Sequence, residues 1–75
     1  MNNERMMTRP AFRRINLLER AALVSRLARA RRHEHRAMNA WINREVGVRT
    51  VGDATAEQLE RSIERLQREL RGPRA

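Results

Sequence analysis

Seventy-five residues make one small domain, and a chain of this size buries only roughly 60% of the surface its unfolded form exposes, so its core is marginal. The absence of cysteine excludes disulfides and a Cys-based zinc site, which leaves packed helices, self-association or folding on a partner as the source of stability. Seventeen basic residues against nine acidic ones give a formal net charge of +8, which points to a polyanionic or acidic partner.

All 17 basic residues are Arg. A GC-rich coding genome would produce that bias. So would selection for bidentate contacts to phosphate or carboxylate, which Arg makes better than Lys. The charge is uneven. Residues 1–36 carry ten Arg and three Glu, a balance of +7, and residues 37–75 carry seven Arg and six acids, a balance of +1.

Residues 1–8 read as a polar, flexible arm. They carry no apolar segment of the kind a secretory signal needs, and no stretch of the chain is long and apolar enough for a membrane span, so the cytoplasm of whatever cell makes the chain is the expected address. Pro10 suits the first turn of a helix. Residues 17–32 are rich in the strong helix formers Leu, Ala, Arg and Glu. A first helix is therefore expected over 10–32, with a break near Asn16, where Asn16 and Glu19 make a capping-box pattern, as the alternative. Leu17, Ala21, Val24 and Ala28 form one apolar stripe of this helix, and Leu23, Leu27 and Ala30 a neighbouring one. Arg20 and Arg31 project near the middle of that face, with their stems along apolar surface and their heads in water.

The run from Arg31 to Arg36 holds no apolar residue, so a turn belongs there. Ala37, Met38, Trp41, Ile42 and Val46 then recur at the spacing of a buried helical face. Gly47 is a left-handed C-cap followed by apolar Val48, which places a second helix over 34–46. Residues 48–54 read as a loop. Thr55 and Gln58 form a second capping box. Glu57 suits the first turn of a helix and Arg68 and Arg71 the last. Ala56, Leu59, Ile63, Leu66 and Leu70 make a narrow stripe, and Glu57–Arg61 and Glu64–Arg68 are spaced for i,i+4 ion pairs. Gly72 and Pro73 end this third helix, expected over 55–71.

The expected fold is all-α: a helical hairpin over 34–71 plus a basic N-terminal helix, within a single domain over 9–72 and with a short tail at 73–75. The expected core is Leu23, Leu27, Met38, Trp41, Ile42, Val46, Val48, Leu59, Ile63, Leu66 and Leu70. In a chain this short the stripe from Leu59 to Leu70 could also form a homodimer.

No catalytic set emerges. Thr55 is a cap, Ser25 and Ser62 lie inside helices, there is no Lys for a Schiff base, and there is no Gly-rich phosphate loop. An enzyme, a cofactor and a metal are therefore not expected. His33 and His35 are two residues apart and so diverge on a helix, whereas metal-binding pairs use i,i+4.

The Arg content of the N-terminal half is the functional lead. Arg26 and Arg29, then Arg32 and Arg36, fall on one side of a continued helix, with His33 beside them. Arg9, Arg13 and Arg20 would extend the patch. Such a stripe tracks a polyphosphate backbone, and its few neighbouring Asn and Gln residues favour backbone contact over base readout. The alternative is a solvated basic face in an Arg-biased chain. A membrane-surface helix is disfavoured, since only Phe12 offers a bulky aromatic at its flank.

Trp41-Ile42-Asn43-Arg44, Gly47-Val48, Thr50, Thr55-Ala56-Glu57-Gln58, Ile63 and Leu66 together resemble a helix–loop–helix module of bacteriophage proteins, the C-terminal part of the Mu-type GemA regulatory family. The resemblance covers residues 38–66. This chain has Ala54 where that family usually has Leu before the capping Thr. The resemblance implies a phage or prophage origin, with the cytoplasm of a bacterial host cell as the address, and a role in regulation or DNA handling, with no catalytic residue carried over. A small phage-type accessory protein that binds nucleic acid through phosphates is the first expectation. The alternative is a phage-encoded inhibitor or regulator of the anti-CRISPR type. It would dock its Arg face on an acidic or nucleic-acid-binding host protein.

Overall fold

The computed structural model describes residues 9–72, so the arm at 1–8 and the tail at 73–75 lie outside the described residues. Three helices follow in order: α1 (Arg9–Arg31), α2 (His35–Val46) and α3 (Ala56–Arg71), with a short 3-10 turn at Val51–Asp53 before α3. No strand occurs among the described residues, and the domain is all-α as expected. α1 runs unbroken past Asn16, which stands half-buried inside the helix rather than capping a new one.

Both turns are closed by backbone geometry. At the end of α1, Arg32 takes the left-handed conformation (φ 57°). The N–H of His33 then donates to the Ala28 carbonyl at 2.9 Å, and that of Arg32 to the Arg29 carbonyl at 3.3 Å. The same double closure recurs at Gly47 (φ 81°), where Val48 N–H reaches the Asn43 carbonyl at 2.9 Å and Gly47 N–H the Arg44 carbonyl at 3.2 Å. The start of α3 carries the expected capping box. Gln58 N–H donates to Thr55 Oγ1, and Thr55 N–H donates to Gln58 Oε1.

Arg13, near the start of α1, donates to the carbonyls of Gly52 and Ala54 just ahead of α3. Arg31, at the end of α1, pairs with Glu69 near the end of α3. α1 and α3 therefore run parallel, with α2 returning antiparallel, and α1–α3 is the most extensive pairing. The core is built from Leu23, Val24, Leu27, Ala28, Met38, Ile42, Ile63 and Leu66, with Trp41 and Leu70 packed against it. Val24 and Ala28 join the expected core. Val46 and Val48 are only half-buried. The α3 stripe is consumed inside the monomer, since Leu59, Ile63 and Leu66 are buried and Leu70 half-buried, so it is not a free surface for a second copy.

Arg20 departs most from expectation. Its head does not reach water: the residue is 4% exposed and sits on the core side of α1. Nη1 donates to Asn39 Oδ1 and Nη2 to Asn43 Oδ1, each at 2.7 Å. Burial lowers its pKa from the ordinary arginine value, but a guanidinium remains charged at any ordinary pH. A cation held only by neutral amides is tolerated because charge-assisted hydrogen bonds replace its lost hydration.

The ion pairs also differ from expectation. Glu57–Arg61 and Glu64–Arg68 do not form among the described residues. Instead Arg65 Nη1 donates to Glu69 Oε2 at 2.7 Å and Arg65 Nε to Glu45 Oε1 at 3.1 Å, while its guanidinium lies over the Trp41 ring, 5.1 Å from the centroid. Glu69 thus binds Arg31 and Arg65 together.

Arg20→Ala leaves the buried Asn43 amide oxygen without a donor and opens a void, for an expected loss of about 2–4 kcal/mol. Chemical denaturation measures it, and Arg20→Met combined with Asn43→Leu is expected to recover at least half of the loss. Hydrogen bonds from Arg31, then from Arg65, hold the Glu69 carboxyl below the usual carboxylate range. Its contribution is therefore full above the unfolded glutamate pKa of about 4.3 and is lost as pH falls through the lower native value. Melting curves of the wild type and Glu69→Gln are expected to differ near neutrality and to converge in acid. A constant gap at all pH values would remove Glu69 as the titrating group.

Candidate nucleic-acid interface

Some of the described arginines are bonded inside the bundle and others are not. Arg13, Arg20, Arg31 and Arg65 are bonded internally. Arg26, Arg29, Arg32, Arg36, Arg44 and Arg49 are exposed and make no ion pair or side-chain hydrogen bond among the described residues. Two of the expected contacts therefore leave the candidate site. Arg20 is buried beneath α2, and Arg13 ties the start of α1 to the loop before α3, each because acceptors on a neighbouring element reach it before solvent does. The side chain of Arg9 lies outside what the structure describes.

The remaining expected residues do not form one stripe. The left-handed turn at Arg32 stops the helical register, so Arg29, Arg32 and Arg36 do not follow one another along a single helix. Arg29 stands on the side of α1 away from the core. Arg26 turns toward α3 and lines a groove with Glu19, Leu70 and Arg71. Arg32 and His33 occupy the exposed corner between α1 and α2. The His35 ring is anchored, with Nδ1 3.3 Å from Ser25 Oγ. No cluster of metal-ligating side chains exists among the described residues, and no described helix is long and apolar enough to cross a membrane.

Arg36 belongs with residues the sequence reading passed over. A groove of about 610 Å³ runs along α2 beside the loop that follows it, lined by Arg36, Asn39, Ala40, Asn43, Arg44, Val48, Arg49, Thr50 and Val51. Ala40, Val48 and Val51 make its apolar lining, and three exposed guanidinium groups without an ion-pair partner among the described residues, those of Arg36, Arg44 and Arg49, line it as well. No carboxylate is among the lining residues. The Oδ1 atoms of Asn39 and Asn43 face Arg20, which leaves their amide nitrogens to bond elsewhere. The side-chain groups available to a ligand in this groove are therefore chiefly donors and cations. One signal for it was present in the sequence: Arg36, Ala40, Asn43 and Arg44 share a helical face.

This arrangement suits an anion rich in hydrogen-bond acceptors. It holds no nucleophile–base pair, and its basic groups are arginines, which do not exchange protons near neutral pH. Compared with protein-family models, curated proteins and solved structures, the chain matches none of them.

Proposed function

We propose that the protein is a small accessory factor that binds nucleic acid, chiefly through its phosphates. The α2 groove, with Arg36, Arg44 and Arg49 but no acidic residue in its lining, is the observation that carries this reading. Arg29 and Arg32, with His33, supply further positive charge around the α1–α2 corner, Arg26 adds to it on the α3 side of α1, and none of these arginines forms an ion pair among the described residues. Arginine donors spread over two helices and a loop favour a repeating phosphate backbone over a single small anion. The resemblance of residues 38–66 to the GemA-type module supports a phage-type regulatory or DNA-handling role. In this reading Trp41 is a packing residue, engaged by Arg65 and the core.

Fluorescence anisotropy against random-sequence duplex and single-stranded DNA tests the proposal. With about five phosphate contacts, affinity is expected to fall a few hundredfold between about 50 and 200 mM salt. Arg44→Glu with Arg49→Glu, and separately Arg29→Glu with Arg32→Glu, are each expected to weaken binding at least about tenfold with unchanged helicity by circular dichroism. Binding that survives both double reversals, or no binding at low salt, would overturn the reading and direct attention to an acidic protein partner.

A further inference from the structure

α1 is apolar on two sides, and the monomer uses only one. Arg13, Arg20 and Leu27 recur every seventh residue on the side facing the bundle. On the opposite side, Ile15, Leu18 and Ala22 recur at spacings of three and four, the step of a helix–helix seam. Leu18 is 69% exposed, Ile15 45% and Phe12, on the flank, 40%; these are the large hydrophobic side chains the fold leaves in water. Beside the seam stand Arg14 on one edge and Glu19 on the other. Glu19 is the one acidic residue of α1, and neither it nor Arg14 has an ion-pair partner within the described residues.

We infer that this face of α1 pairs with the same face of a second copy of the chain, in parallel and about a two-fold axis. The occupant follows from the charges. With Ile15 and Leu18 as the inward positions, Arg14 and Glu19 fall at the two flanking positions of consecutive turns. In a parallel pair of helices those positions meet across the seam, so each Arg14 faces the Glu19 of the other copy, twice by symmetry. An antiparallel pair sets Glu19 against Phe12 or against its own copy, and so loses both pairings. Glu19 and Ala22 also border the groove between α1 and α3, with Gln67 and Arg71 on its far side. Ala22 is small enough for close backbone contact. One further heptad step along the same register would bring Arg29 against its copy, so like-charge repulsion ends the contact near Ser25.

The inference does not depend on nucleic-acid binding, and its test contains no nucleic acid. Sedimentation velocity of the full chain, over a concentration series reaching about 0.3 mM, is expected to show a reversible monomer–dimer equilibrium. Leu18→Glu changes a side chain that the monomer does not bury, and is expected to give monomer only, with unchanged helicity. Arg14→Glu and Glu19→Arg are each expected to weaken association about tenfold or more, and the double exchange to restore it, because it rebuilds both cross-pairs in reverse. Monomer at every concentration, or dimer surviving Leu18→Glu, would overturn the assignment of this face. A double exchange that fails to restore association would overturn the parallel register.

Discussion

The geometry of the bundle depends on one buried cation. Arg20 emerges from the middle of α1 and grips α2 at two points one turn apart, Asn39 and Asn43. Two directed bonds to successive turns fix the rotation of α2 about its own axis, which apolar packing alone specifies only loosely. That rotation sends Met38 and Ile42 into the core and Trp41 toward Arg65 of α3. It leaves Arg36, Ala40 and Arg44 along the open groove. The interaction that orders the interior thus also sets which side of α2 faces a ligand, although Arg20 itself is out of reach of one.

Charge is partitioned in the same way. Glu45 and Glu69 are drawn into a cluster with Arg31 and Arg65 around Trp41, on the side where α2 and α1 meet α3. Of the remaining acids of the C-terminal half, Glu57, Glu60 and Glu64 lie exposed along α3, and Asp53 accepts a hydrogen bond from Thr50 in the loop before it. The groove lining holds Arg36, Arg44 and Arg49 with no carboxylate, while at the α1–α2 corner the exposed Glu34 stands beside Arg32 and His33. The formal net charge of +8 is thus offset only in part by internal ion pairs.

Much of this architecture was legible in the residue order, because helix ends are written locally. Thr55 with Gln58, Gly47 with Val48 and the stripe from Leu59 to Leu70 each state their role within a few neighbours, and each has the expected place. What escaped involves partners remote in the chain. Nothing near Arg20 announces two amides 19 and 23 residues away, nor near Arg13 the carbonyls of a loop 39 and 41 residues on. A charged residue with no visible neighbour reads as surface, so both were assigned to the basic face. The candidate site was legible in composition but not in layout. Arg26, Arg29, Arg32 and Arg36 are exposed as expected, yet the turn redistributes them and recruits Arg44 and Arg49 instead.

That turn rests on Arg32, a side-chain-bearing residue in a conformation where glycine is the usual occupant. Holding Arg there costs about 1–2 kcal/mol relative to glycine, a large share of the stability available to so small a domain. Glycine would make the corner more stable and would remove one of its charges. The chain therefore keeps a guanidinium at this exposed corner at a cost to its own folding equilibrium.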